Sequence, residues 1–446
     1  MELKYYLSIG RRRWLVVVAA ILIQLCLGTI YAWSVFTGLL TLPLTEGGEY
    51  GFSAQRAAWI FSAGLAVFAI TMVGAGRLQS RFGPRPIAAL GGIILGIGYL
   101  LGGVLGGTFW GQFVFIGLIG GAGIGLAYVV PLAVGVKWFP DHKGLISGLA
   151  VAGFGFGATL WVKLAGSWFG GLLYTTSIFG LPGVQSVFVI YGIVYLVLVL
   201  LGSLAMLNPS PDFRPAGYNP PQPGSPQAIH DITHQEFSSP EMLKTPQFYL
   251  LWLMFFSNAL AGLMVIYSIS LFGIDSLLAA GAVAGASEAA IIAGTAMAWY
   301  AILNGLGRII WGGVSDYLGR KWSLFLASSF QAFVMFSFFE MGSAVSSLIL
   351  AAAIIGFNFG ANFALFPAAT ADYFGARNLG QNYGWIFLAF GVAGIAGPQI
   401  AGYFRDLVGA GDISTWQTSF AIAGGFCVFA ALLSLLLKAP TKPAAG

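Results

Sequence analysis

The sequence is short of charge. Its 446 residues include 20 Lys and Arg and 15 Asp and Glu, 8% charged in all, whereas soluble domains carry roughly 25%. That excludes a water-soluble globule of this size. Cysteine and histidine are scarcer still. Cys26 and Cys427 both fall in apolar runs, and His142, His230 and His234 fall outside them. No spacing for a metal site is present, and no cofactor motif. No nucleophile–base pairing suggests an enzyme. The net charge of +5 does not argue for nucleic acid, because membrane proteins gather Lys and Arg on one side of the bilayer.

What the chain has instead is apolar length. It is 58% hydrophobic, with 64 Gly, and such small residues let membrane helices pack closely. Runs long enough to span a bilayer fall near 14–40, 54–79, 86–106, 110–139, 144–170, 184–207, 246–273, 289–316, 322–342, 346–373, 380–405 and 413–438. An all-α membrane protein of twelve helices is predicted. The first run follows Lys4 and Arg11 to Arg13 and is too long for a cleaved signal peptide, so a retained first helix is expected. The one long polar stretch, 208–245, is rich in Pro and Ser and reads as an irregular linker. It divides the chain into six-helix bundles at 1–207 and 246–446.

Charge sets the expected topology. Of the 20 Lys and Arg, Arg56 and Arg405 fall at one face and Lys163 and Arg308 within spans, which leaves 16 on the side of the N-terminus. That asymmetry predicts both termini in the cytoplasm, with a bacterial inner membrane as the expected location. Lys163, near the far end of the fifth span, is expected to snorkel outward.

The halves repeat each other at an offset of 236. IYAWSVF at 30–36 matches IYSISLF at 266–272, GRLQSRFGPRP at 76–86 matches GGVSDYLGRKW at 312–322, and Pro131 maps to Pro367. Ordered matches at one offset indicate an internal duplication. Parallel six-helix repeats with a site at their interface describe a secondary transporter. Gly117, Gly121 and Gly125 form overlapping G-x-x-x-G steps and predict tight helix packing rather than a dinucleotide fingerprint.

Arg308 is the exceptional residue. It lies eight residues before Asp316, where its helix is expected to leave the membrane, and so roughly 12 Å deep. An intramembrane guanidinium is costly and usually faces a cavity on a substrate path. Depth arithmetic puts Asn304, one turn away, and Tyr128, Phe363 and Phe390 near the same level, with Tyr31, Phe359 and Phe387 within two turns. One cation, a few hydroxyl and amide donors and an aromatic wall suit a carboxylate. The competing reading is structural, with Arg308 pairing helix carbonyls to hold a kink. The repeat counterparts of Arg308 and Asn304 are Met72 and Phe68, so the charge is not demanded by the fold in both halves. Asp316 and Arg320 are expected to form an ion-pair network at the inner gate, with Arg81 in the weaker N-terminal copy, where Ser80 replaces the Asp.

The turn G-x-x-S-D-x-x-G-R-K at 312–321 resembles the signature loop of the major facilitator superfamily. G-x-I-Y-A-W-S-V-F at 28–36, K-W-F-P-D-x-K-G-L-I-S-G at 137–148 and F-N-F-G-x-N-F-x-L-F-P at 357–367 resemble the oxalate/formate antiporter family, which is related to the monocarboxylate porters. The resemblance covers nearly the whole chain outside the linker. It implies that Tyr31, Tyr128, Arg308, Phe359, Phe363 and Phe387 line a substrate cavity. It also implies a departure at Phe390, where oxalate exchangers carry a Lys.

A dianion enclosed against Arg308 alone would leave a buried charge uncompensated. The expected substrate is therefore a small monocarboxylate: formate, acetate, lactate or pyruvate. No Asp, Glu or His lies at mid-depth to relay a proton, so a symported proton would ride on the substrate carboxyl or on an acid near a gate. Proton-linked symport by a functional monomer is the first expectation and oxalate:formate-type exchange the alternative. A carboxylate sensor is a third, weaker reading.

Overall fold

The computed structural model describes residues 2–139, 143–210, 213, 236–375, 378–408 and 413–440. Residues 214–235, with His230 and His234, lie outside the described residues, as do Asp141 and His142. Twelve of the described helices are long and apolar enough to cross a membrane. They are α1 (Arg13–Thr41), α2 (Ala54–Gln79), α3 (Pro84–Leu105), α4 (Phe109–Gly135), α5 (Gly148–Gly166), α6 (Gly183–Ser203), α7 (Pro246–Ala279), α8 (Ala286–Leu318), α9 (Arg320–Met341), α10 (Val345–Phe374), α11 (Leu379–Val408) and α12 (Thr415–Leu435). With an even number of crossings, α1 begins and α12 ends at one face, here called the terminal face. The opposite face is the distal one.

Local chemistry sets the helix limits. Ser53 caps α2 by accepting from the Arg56 amide, and Thr245 caps α7 in the same way ahead of Pro246. Two glycines 236 residues apart make the same sharp reversal. Gly83 joins α2 to α3 at φ 85° and Gly319 joins α8 to α9 at φ 78°, backbone that other residues adopt only at a cost. At this turn the duplication seen in the sequence is also a duplication of backbone geometry.

The expected glycine packing on α4 is present. A Cβ on Gly121 would lie 2.4 Å from the Gly64 carbonyl oxygen, so α4 rests directly on the backbone of α2. Two spans are not plain α-helices. α1 narrows to a 3₁₀ segment over Gly28–Ala32, and α4 widens to π geometry over Phe113–Gly120. Pro131, Pro367 and Pro398 lie inside helices.

The halves meet along α2 against α11, α5 against α8, and the distal part of α1 against α7. Ahead of α7, Phe237 is buried and pinned. Its N–H donates to the Phe374 carbonyl at 2.9 Å, and the side-chain amides of Asn378 and Asn382 each donate to its carbonyl at 3.0 Å.

Candidate functional site

Tyr300, Asn304 and Arg308 recur every fourth residue on α8 and share one buried stripe. Two close helix crossings hold that stripe in place. A Cβ on Gly360 of α10 would lie 2.2 Å from the Asn304 carbonyl oxygen and 3.1 Å from the Arg308 nitrogen. A Cβ on Gly155 of α5 would lie 2.9 Å from Asn304 Oδ1. α8 is therefore wedged between α5 of one half and α10 of the other, with Arg308 at the junction.

Arg308 is 2% exposed. Its Nε donates to Asn304 Oδ1 at 3.1 Å and its Nη1 to the Val151 carbonyl on α5 at 3.0 Å. The guanidinium carbon lies 4.0 Å from the Phe363 ring centroid and 5.9 Å from that of Phe154, so rings from both halves flank the cation. Nη2, Asn304 Nδ2 and the Tyr31 hydroxyl make no well-aligned hydrogen bond, while the Tyr31 and Tyr128 hydroxyls lie close enough to the guanidinium to interact with it. Among the described residues no carboxylate pairs with Arg308. A buried polar group without a partner costs about 1–3 kcal/mol, and more when charged, so this cluster of donors favours an anionic acceptor.

The other candidate side chains close around that cluster. Tyr31 stands edge-on to Phe154 at 4.9 Å and lies 5.9 Å from Phe359. Phe359 and Phe363, one turn apart on α10, are 5.3 Å apart, and Phe363 meets Phe390 at 5.5 Å. Phe390 and Phe387 are 4.9 Å apart, and Phe387 lies 5.9 Å from Tyr128. All eight candidates (Arg308, Asn304, Tyr128, Tyr31, Phe359, Phe363, Phe387 and Phe390) are buried and share this contact network.

Four residues absent from the sequence-based set also belong to the cage. Tyr300 and Tyr383, like Tyr31 and Tyr128, lie within electrostatic reach of Arg308. Phe68 touches Tyr128 and Phe387, and Phe154 touches Tyr31 and Tyr128. Helical spacing carries a signal for the tyrosines, since Tyr300 precedes Asn304 by one turn and Tyr383 precedes Phe387 by one turn. The internal repeat carries one for the phenylalanines. Phe68 is the counterpart of Asn304, and Phe154 is the counterpart of Phe390, again 236 residues apart.

Repeat symmetry does not extend to the Tyr31 counterpart, and one expectation, for Lys163, needs correction. Tyr267, the repeat counterpart of Tyr31, is not in the cage. It donates from its hydroxyl to the Ala54 carbonyl at the distal start of α2 and stacks on Phe61. Nor does Lys163 simply extend to the surface. Its Nζ donates to Thr295 Oγ1 at 2.8 Å, bridging α5 and α8.

At the terminal face, Arg320 joins Asp316 at 2.9 Å and Asp372 at 2.6 Å, and also donates to Ser315. The sequence reading named the first acid and missed the second. The N-terminal copy has Ser80, Pro84 and Val136 at the corresponding positions, so this ion network belongs to the C-terminal half. Arg81 is exposed and lies over the Phe82 ring at 5.3 Å. At the distal face Arg405 pairs with Asp275 at 2.8 Å. No group of three His, Cys, Asp or Glu among the described residues could hold a metal.

Twelve apolar crossings in two repeated halves, with a buried cation walled by rings at their junction, define a membrane transporter and not an enzyme. The chain belongs to the Major Facilitator Superfamily, whose sequence profile matches residues 24–295 and 287–446. It is 27% identical to the oxalate:formate antiporter of Oxalobacter formigenes, over 95% of this chain and 91% of that one. It is 26% identical to apicoplast pyruvate carrier 1 of Toxoplasma gondii, over 94% and 89%. The crystal structure of a bacterial homologue of the human lysosomal transporter Spinster, inward-facing and unoccupied, superposes with a TM-score of 0.67 at 19% identity, covering 95% of this chain and 96% of that one. This last likeness concerns the fold alone.

Proposed function

We propose that this protein is a secondary-active carrier of small monocarboxylate anions of the formate, acetate, lactate or pyruvate type. It works by alternating access, with Arg308 holding the substrate carboxylate. The observation that carries the reading is Arg308 itself: a fully enclosed guanidinium whose Nη2 makes no well-aligned hydrogen bond, flanked by rings and by the donors of Asn304 and Tyr31. A planar fork of donors matches a carboxylate, and low local polarity strengthens the pairing. The names of two relatives, an oxalate:formate antiporter and a pyruvate carrier, support the substrate class.

Phe390 argues for a single negative charge. It is fully buried among Phe363, Phe387 and Phe255 and adds no cation to the cage. A monoanion leaves the pair with Arg308 neutral, whereas a dianion leaves an excess charge out of water. Proton-linked symport, with the proton carried by the substrate carboxyl or by an acid near a gate, is the coupling we favour. Anion exchange is the second reading, favoured by the antiporter among the relatives.

In this reading the terminal face is cytoplasmic in a bacterial inner membrane, the bundles 1–207 and 246–446 rock about the cage with 208–245 as their linker, and one monomer suffices. The test is uptake of labelled lactate, formate and oxalate into proteoliposomes, with and without an inward-acid gradient, for the parent and for Arg308→Lys. Gradient-driven uptake of the monoanions, lost in the variant, supports the proposal. Uptake that ignores the gradient but requires internal anion means exchange. Oxalate carried as fast as the monoanions overturns the argument from Phe390, and full activity in Arg308→Lys overturns the role of Arg308.

A further inference from the structure

The distal end of α2 is held by side chains of the other half. Asp406 of α11 accepts from the Ala54 amide at 2.9 Å and the Gln55 amide at 3.2 Å. Tyr267 of α7, fully buried, donates to the Ala54 carbonyl and stacks on Phe61 about two turns further along α2. Beside them Gly402 brings α11 against α2, where a Cβ would lie 3.1 Å from Gln55 Cα and 3.3 Å from Ala58 Cβ. Ser53 supplies only the Arg56 amide, so two of the four orphan N–H groups of this helix start are satisfied from across the interface. On α8 the cross-half bonds lie further in, from Lys163 to Thr295 Oγ1 and from Thr159 to the Ala298 carbonyl, while at its first turn Glu288 accepts from the nearby Ala284 amide.

We propose that Tyr267 and Asp406 form a latch on the first turn of α2 that holds the distal side of the transporter shut, and that both must release Ala54 before the cage opens distally. The inference rests on the alternating-access reading above. It explains why Tyr267 departs from its repeat counterpart. Tyr31 turns into the cage from the 3₁₀ segment of α1, while Tyr267 sits on an unbroken helix and reaches the partner half. The latch residues touch none of the cage donors, so they are positioning residues that set the balance of states.

Ser62 gives a reporter of distal opening. It is fully buried on α2 one turn from Ala58, the residue that meets Gly402, and Ser62→Cys is close to isosteric. Background labelling is low because Cys26 and Cys427 are buried. Ala75→Cys, buried near the opposite end of α2, is the control. The experiment measures maleimide labelling rates of each reporter in detergent micelles, with and without Tyr267→Phe and Asp406→Asn. Loss of one cap shifts such an equilibrium by about five-fold, and the paired variant is expected to exceed this.

Faster labelling at Ser62→Cys without faster labelling at Ala75→Cys supports the latch. An unchanged rate at Ser62→Cys overturns it, and so does an equal rise at both positions, which marks a loosened protein. Uptake of formate and lactate by the parent is measured in parallel. A parent that carries neither, with labelling still selective, sinks the carrier reading and leaves the latch standing. Active uptake with unselective labelling does the reverse.

Discussion

Arg308 and Phe363 face each other across the α8–α10 crossing, guanidinium over ring at 4.0 Å. The contact gives a buried cation some compensation without giving it a counter-charge, since a ring face attracts a cation but cannot neutralise it. The positive charge therefore remains available to a substrate. Asn304 Oδ1 and the Val151 carbonyl fix the plane of the guanidinium through Nε and Nη1, which leaves Nη2 on the remaining side.

Replacing Arg308 by Lys keeps the charge and loses the fork. An ammonium cannot bind Asn304, Val151 and a carboxylate with the same planar geometry. Losing a charge-assisted hydrogen bond costs about 1.5–3 kcal/mol, or about 10- to 150-fold in kcat/KM for uptake. Initial rates at several formate and lactate concentrations check this. A variant within two-fold of the parent would mean that the fork is not used.

Phe390→Lys is expected to change selectivity. The new ammonium would lie within the ring cluster near Arg308 and supply a second cation for a dianion. It would also bury a charge among Phe363, Phe387 and Phe255, so the free protein loses stability. Oxalate should restore it, because ligand at about 100 times its Kd stabilises by about 2.7 kcal/mol. The measurement is the melting temperature with and without oxalate or formate, together with oxalate uptake. Equal effects of oxalate on parent and variant would refute the charge argument.

Much of this architecture was legible in the sequence, because the constraints are strong and periodic. A bilayer demands long apolar helices, so twelve runs gave twelve spans, and a repeat at one offset gave two halves. Helical rise set the expected depth of the eight cage residues, whereas their lining of one cavity was implied mainly by the family resemblance. The position of Tyr267 was not legible, because side-chain direction depends on a local 3₁₀ break in α1 that hydropathy does not register. Nor was the Lys163–Thr295 bond, which depends on which helices of different halves face each other. Asp372 was visible as an acid at the correct face, but its partner Arg320 lies 52 residues away on another helix.

The Arg320 network is expected to behave as a unit. Arg320 and Asp372 are 11% and 12% exposed, whereas Asp316 is 59% exposed. Arg320→Ala removes a charge-assisted bond to the part-buried Asp372, and one such bond is worth about 1.5–3 kcal/mol. The double variant Arg320→Ala/Asp372→Ala should recover part of that loss. Asp316→Ala alone should cost less than about 1 kcal/mol, as for an exposed pair. Denaturation of the parent, Arg320→Ala, Asp372→Ala and their double variant forms the cycle, and additive losses would show that the two residues are not coupled.

Gly360→Ala tests whether the α8–α10 crossing sets the site. Its methyl would meet the Asn304 carbonyl oxygen at 2.2 Å, which is backbone and cannot swing aside. Overpacking of this kind costs about 1–3 kcal/mol. Transport should fall further than stability, because the displaced segment carries both Asn304 and Arg308. A stable variant with unchanged uptake would place the functional geometry elsewhere.

Asn304→Asp separates a stabilising effect from a functional one. The substitution is nearly isosteric and sets a carboxylate where Oδ1 already accepts from Arg308 Nε at 3.1 Å. The cage then contains its own counter-ion, so the guanidinium no longer depends on an external anion. Folding should be preserved or strengthened, because an uncompensated buried charge has been paired in good geometry. Transport should be lost, because a substrate carboxylate must now displace a covalently tethered one at very high effective concentration. Asn304→Ala provides the contrast: it removes the orienting acceptor, adds no charge and should lower uptake about ten-fold, the effect of one hydrogen bond to a charged group. Melting temperature and formate uptake measured on both variants decide the matter. If Asn304→Asp transports as well as the parent, Arg308 does not bind the anion.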